Sequence, residues 1–245
     1  MSQKTALVIG GDGGIGSATS KVLLKDSWQV CGTYHVEGEN LKNIKEELTG
    51  QPIKFYQLDF FSNSVEADLL KIIEECQSVE AVIFCATAPI NHKPLISLEW
   101  DDFKNHLTVQ VEGVFRVMKA MKEQILSKQR RKFIVLLSEV CIGRPPVGLT
   151  PYVVAKYGLM GLVKAMTVEL APYNCTVNFV SPGMTETNLI KDFPSKLVEV
   201  AALNNPLKRI AKPEDVANVI AFLVSEKADY LNGAHITVNG GSIML

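Results

Sequence analysis

The sequence predicts an α/β protein built on a doubly wound parallel sheet flanked by helices, and three observations carry that prediction. Short apolar runs alternate with longer segments of helical periodicity. Several of the runs have no polar interruption, as strands covered on both faces do. The first run passes directly into a glycine-rich turn that opens a helix. The 245 residues, 47% hydrophobic and 21% charged, provide enough apolar surface for one core, and no repeat, low-complexity tract or linker divides them, so a single domain over 1–245 is expected.

In chain order, the expected strands are residues 5–9, 29–34, 53–58, 81–86, 133–137, 176–180 and 235–238. Between them, residues 15–25, 65–76, 101–128, 152–170 and 213–225 repeat apolar positions at helical spacing, the last with Pro213 in its first turn. Strict alternation implies right-handed crossovers, and ligands in such sheets gather at the carboxyl ends of the strands.

Composition narrows the function. A formal net charge of -1 provides no excess of basic charge for nucleic acid or an anionic membrane, which leaves small-molecule chemistry. Five cysteines, Cys31, Cys76, Cys85, Cys141 and Cys175, form no C-x-x-C pair; the odd count suits reduced, buried thiols and a cytoplasmic location. The apolar run near the N-terminus is too short for a signal segment or a membrane span, and no metal site is expected.

The stretch Gly10-Gly11-Asp12-Gly13-Gly14-Ile15-Gly16 sits at the first strand-to-helix turn, where a Rossmann-type fold binds a dinucleotide. Gly10 makes the tight turn, Gly14 lets backbone amides approach the pyrophosphate and Gly16 lets helix and strand close up, while Ile15 enters the helix N-terminus that faces the phosphates. Asp59, at the end of the third strand, is a candidate acceptor for the adenine amino group, with local helix capping as the alternative. The second strand ends Thr33-Tyr34-His35 without the carboxylate that would hold a ribose 2′-hydroxyl, so NADP(H) is favoured over NAD(H), and His35 or Lys42 is a candidate phosphate contact.

Tyr152 and Lys156 stand four residues apart on one helix face, and Ser138 follows the fifth strand. A phenol of pKa about 10 is a poor base at neutral pH; a neighbouring ammonium and an oxidised nicotinamide would lower it by about three units, so that Tyr152 exchanges a proton with a substrate oxygen while Ser138 polarises that oxygen.

With Asn178, Pro182-Gly183 and Val238-Asn239-Gly240-Gly241, these residues make the chain from Thr5 to Gly241 resemble the short-chain dehydrogenase/reductase family. The resemblance implies a Ser138, Tyr152, Lys156 catalytic set. It also implies that Tyr152, Lys156, Pro182, Gly183, Thr185 and Thr187 contact the nicotinamide half of the cofactor. The family's fourth-strand motif is replaced by Cys85-Ala86-Thr87-Ala88, which places Ala86 near the adenine ribose. The position of the family's relay asparagine carries Gln110, and Glu139 occupies the usual register of the serine, for which an insertion between Cys141 and Leu149 is the reading preferred.

The compact length and short tail resemble reductases of carrier-bound 3-oxoacyl chains. They imply a carbonyl or alcohol substrate, on a carrier protein in one reading, and a homotetramer. A sugar or tailoring-pathway dehydrogenase, or a cofactor binder with little turnover, are the alternatives. Residues 184–207 are expected to form a mobile lid. The basic run Lys128, Arg130, Arg131, Lys132 is either a carrier-docking surface or a solvated helix end. Part of the apolar excess at Val114, Val117, Met118, Met121, Leu159, Leu162, Val163 and Met166, with the apolar tail 242–245, is expected to meet a second subunit, with completion of the monomer core as the alternative.

Overall fold

The computed structural model describes residues 4–191 and 193–244. Within them β1 (Thr5–Ile9), β2 (Gln29–Tyr34), β3 (Ile53–Gln57), β4 (Val79–Phe84), β5 (Arg131–Leu136), β6 (Cys175–Pro182) and β7 (His235–Val238) form one sheet in the order β3-β2-β1-β4-β5-β6-β7. Every neighbouring pair is parallel. The order runs outward in one direction from β1 and in the other from β4, so the crevice between their carboxyl ends is the topological switch point.

The apolar strands are explained by two covered faces. Leu7 and Ile9 enter a core shared with α3 (Val65–Glu75), α5 (Gly113–Ala120) and α7 (Thr150–Glu169). Their alternates Ala6 and Val8 enter a second core with α1 (Gly14–Lys25), α2 (Glu39–Glu47) and α9 (Pro213–Val224). Full burial of each large aliphatic side chain contributes about 1.5–3 kcal/mol. The sequence reading did not anticipate α2, because only Leu41 and Ile44 of that helix turn inward.

Four expectations change. The continuous helix over 101–128 is instead α4 (Trp100–Leu107), a π turn (Thr108–Glu112), α5 and α6 (Lys122–Leu126). Its periodicity hid the wider turn, which sets Gln110 fully inside. The expected subunit contacts on these helices mostly complete the subunit's own core: Val114, Val117, Met121, Leu159, Val163 and Met166 are buried there, with Met118 and Leu162 packed at its edge. The large apolar residues that these helices leave in solvent are Trp100, Phe115, Leu126, Val154, Tyr157 and Val168.

The basic run is not a free patch either. Arg131 and Lys132 are buried in β5, Lys132 pairs with Asp229 at 2.7 Å, and Arg130 pairs with the same carboxylate at 2.7 Å. Finally, Cys31 and Cys76 are joined as a disulfide between β2 and the end of α3, where reduced thiols were expected. Residues 45 apart in sequence meet because α3 returns over β2, a contact that cysteine spacing does not reveal. Cys85, Cys141 and Cys175 are free.

Candidate active site

A cleft of about 840 Å3 follows the carboxyl ends of the strands. Its walls are the glycine loop, Thr33 to His35, the loop after β4, and Thr187, Leu189, Phe193 and Leu197. Gly10 has φ +79°, a conformation open to glycine, and Gly10 and Gly11 donate to Thr33 Oγ1 and Thr33 O at 3.0 and 2.7 Å, which fastens the loop to β2. A Cβ on Gly16 would strike the Gly10 carbonyl, and one on Gly14 would lie 2.5 Å from Thr187 Cγ2. The first turn of α1 has neither a side-chain cap nor an acidic residue, so its N–H groups remain for an anion. This cradle fits a dinucleotide pyrophosphate.

The expected cofactor residues divide. Gly10, Gly14, Ile15, Gly16, His35, Ala86 and Thr187 line the cleft. Asp59 instead lines an adjoining cavity of about 370 Å3, which His35 also reaches. Its Oδ1 accepts from Phe61 N at 2.9 Å, a bond within the turn after β3, and lies 3.4 Å from His35 Nε2; it caps no described helix, since α3 opens after Ser64. Pro182, Gly183 and Thr185 are behind the wall: Gly183 N donates to Val238 O at 3.0 Å and Thr185 Oγ1 to Gly183 O at 2.9 Å. The sequence reading passed over Asp12, which lines the cleft, and burial holds its carboxyl above the usual carboxylate range. Its signal was an acidic residue inside the glycine loop.

The second group forms where β5 meets α7. Pro151 lies in the first turn of α7, and Tyr152 and Lys156 project one turn apart from its buried face. Lys156 Nζ donates to Leu136 O at 2.8 Å and lies 5.6 Å from the Tyr152 ring centre. Ser138 stands beside the Tyr152 phenol, whose pKa its side chain acts to lower, and its Oγ accepts from Val140 N at 3.3 Å. Glu139 faces the other way: its Oε2 accepts from Ser242 Oγ at 2.6 Å. The structure therefore brings Ser138, and not Glu139, to the tyrosine.

Burial dominates the electrostatics. It pushes the Tyr152 phenol up to about 12 against the lowering effect of Ser138, and pulls the Lys156 ammonium down to about 8. The lowering expected of Tyr152 was assigned to Lys156 together with an oxidised nicotinamide; in the protein alone, desolvation raises the phenol and Tyr152 is neutral. Burial likewise raises Cys85 to about 12 and Cys141 to about 11, leaving both as thiols beside Lys156.

Gln110 is wholly buried. Its Nε2 donates to Thr87 Oγ1 at 3.0 Å and meets His106 Nδ1 at 3.1 Å, while its Oε1 has no partner among the described residues. His106 packs edge-on to the Tyr152 ring, with centroids 5.8 Å apart. The sequence reading missed His106, although it lies four residues before Gln110 on the same helical face.

A dinucleotide cradle at the switch point of a parallel sheet, opening beside a buried tyrosine and lysine, describes a class of nicotinamide-dependent oxidoreductases. A family model described as enoyl-(acyl carrier protein) reductase matches residues 10–242. The chain belongs to the short-chain dehydrogenase/reductase family, and it is an oxidoreductase that uses NAD(P) to interconvert C=O and CH–OH groups. It is 30% identical over 249 residues to the 3-oxoacyl-(acyl-carrier-protein) reductase FabG of Buchnera aphidicola subsp. Acyrthosiphon pisum, covering 100% of this chain and 99% of the relative. Against the FabG of Thermotoga maritima it is 31% identical over 247 residues, with 98% of each chain covered. Among solved structures, a variant of actinorhodin polyketide ketoreductase with NADPH aligns with a TM-score of 0.88 at 25% identity, covering 98% of this chain and 97% of that one. Acetoin dehydrogenase YohF from Salmonella typhimurium, with a TM-score of 0.85 at 22% identity over 98% and 97% of the two chains, shares the fold.

Proposed function

We propose that the chain is a cytoplasmic, NADP(H)-preferring reductase of a 3-oxoacyl or related ketone group, with Tyr152 as proton donor, Ser138 as its hydrogen-bonding partner at the substrate oxygen and Lys156 as the buried cation. The carrying observation is the buried phenol of Tyr152 beside Ser138, after β5 and one helical turn from the Lys156 ammonium, raised by burial to about 12. A neutral phenol is the form that donates a proton in reduction. When bound, the reduced nicotinamide supplies the hydride. Tyr152 and Ser138 polarise the ketone oxygen, and Tyr152 then delivers its proton to the alkoxide formed there. One N–H of Lys156 is committed to Leu136 O; the two that remain suit a cofactor ribose and a cation that eases loss of the phenolic proton.

The absence of a carboxylate at Thr33-Tyr34-His35 and the NADPH held by the ketoreductase neighbour support NADP(H), with the glycine-loop cradle as its seat. Ile90, Leu189, Phe193 and Leu197 give the cleft an apolar wall suited to an acyl chain, and residues 184–207, here a short 3-10 turn followed by α8 (Ser195–Asn204), would be the lid. The names of the FabG relatives support a carrier-bound acyl substrate. A homotetramer is supported by the exposed Trp100, Phe115, Val154 and Tyr157.

Tyr152→Phe should lower turnover of a 3-oxoacyl thioester by at least about a hundredfold while NADPH affinity stays within about twofold, because only the proton donor is removed. Steady-state kinetics with fluorescence titration of NADPH measure both. Retention of most of the turnover would overturn the assignment, and a protein that binds NADPH yet reduces no ketone in a panel would be a cofactor binder.

A further inference from the structure

Among the buried titratable groups that the assigned chemistry leaves unused is the imidazole of His106, against the Tyr152 ring. We propose that His106 is a positioning residue for Tyr152: its neutral ring, gripped by the Gln110 amide, braces the phenol from the side, and protonating it releases the brace. The inference rests on the reading of Tyr152 as proton donor.

The hydrogen-bond directions can be worked out from the acceptors. The Thr87 hydroxyl donates to Ala88 O at 3.3 Å, so its oxygen is free to accept from Gln110 Nε2 at 3.0 Å. The second proton of that amide nitrogen points to His106 Nδ1 at 3.1 Å, which must then be the unprotonated ring nitrogen. Both amide protons have acceptors, and the amide is fixed at one end by the loop after β4 and at the other by α4. The imidazole so held meets Tyr152 edge-on, at 5.8 Å between centroids and 70° between planes. An asparagine at position 110 is one methylene shorter; the length of glutamine is what spans Thr87 and the imidazole.

The surrounding charges keep the ring neutral. Burial and the Lys156 ammonium on α7 both disfavour an imidazolium, and together they hold His106 below the usual histidine range. Asp102 on α4 favours it, but that carboxylate is already paired with Lys93 at 2.8 Å. Tyr152, the other titratable group on α7 against the ring, is neutral. A protonated Nδ1 would face the Gln110 amide donor to donor and break the chain to Thr87.

Two variants separate bracing from mere packing. His106→Phe keeps a ring but removes the acceptor; His106→Asn keeps an acceptor oxygen one bond from Cγ, where Nδ1 stands, and cannot titrate. For reduction of a 3-oxoacyl thioester by NADPH between pH 5 and 9, kcat of His106→Phe should fall about tenfold with cofactor affinity within about twofold, because its ring is no longer held by Gln110, and kcat of His106→Asn, which has no ring to set against Tyr152, should fall as well but without an acid limb. The parent protein should lose kcat below pH 6.5, and His106→Asn should not. Histidine NMR of the parent, with the His106 signal assigned by its loss in His106→Asn, should show that imidazole still neutral at a pH where free imidazole is mostly charged; His235, which burial also lowers, is thereby kept apart. Unchanged kcat in His106→Phe, an acid limb that persists in His106→Asn, or a His106 titration at or above 6.5 would each overturn the inference. The NMR result does not depend on Tyr152, whose own assignment fails only if Tyr152→Phe stays active.

Discussion

At the scale of single residues, the site is governed by desolvation. Lys156, 3% exposed, is pulled down to about 8 because its charge is expensive in a buried setting with one carbonyl acceptor. Its folded pKa lies below the usual lysine value, so the ammonium is present at neutral pH and is lost as the pH rises through about 8. Reductase kcat/KM should therefore decline above about pH 8, well before the Tyr152 phenol ionises near 12. The pH-rate profile with saturating NADPH tests this, and a profile that stays flat to high pH would remove Lys156 from the titrating groups. The same depressed value penalises folding while the lysine is charged; that penalty fades as the pH rises from about 8 toward the unfolded value of 10.5.

At the scale of elements, the glycine loop and the end of β2 act as one unit. The bonds from Gly10 and Gly11 to Thr33 hold the loop against the residues where the adenosine ribose is read. Lys45 of α2 lies 5.3 Å from the centre of the Tyr34 ring and pairs with Glu37 at 3.3 Å. Tyr34→Asp should weaken or reverse the preference for NADPH, because a carboxylate here repels a 2′-phosphate and accepts from a 2′-hydroxyl. The ratio of kcat/KM for NADPH and NADH in the two proteins decides the matter. An unchanged ratio would move the discrimination elsewhere, with Asp12, the carboxylate inside the loop itself, as the next residue to replace.

At the scale of the whole molecule, one of the exposed apolar surfaces lies on α4, the π turn, α5 and α7. Trp100 is 70% exposed and stands with Phe115, Leu107 and Val111 around a shallow groove on α4, the π turn and α5. Tyr157 and Val154 continue the apolar surface on α7, the helix that carries Tyr152. A second copy packed across a two-fold axis would cover this face and steady the start of α7. Light scattering of dilute protein should report a tetramer, and Trp100→Ser with Phe115→Ser should lower its mass. A fully active monomer would refute both the assembly and its tie to the site.

The sequence by itself determined the sheet, the glycine turn and the spacing of Tyr152 and Lys156, because these are local patterns: period, turn chemistry and helical spacing are written within a few residues. It did not determine which serine-region side chain faces the tyrosine, since that depends on how the 139–149 segment folds back; Glu139 turns toward Ser242, a residue 103 positions away. Nor did it reveal the π turn that buries Gln110, the pairing of Lys132 with Asp229, or the imidazole beside Tyr152. The expected interface residues went inward for the same reason: an apolar helix face looks alike in sequence whether it meets its own sheet or a neighbour. The direction of the phenol's pKa shift in the protein alone was also a tertiary outcome, because burial of Tyr152 depends on what packs around it, and desolvation is the largest cause of the rise.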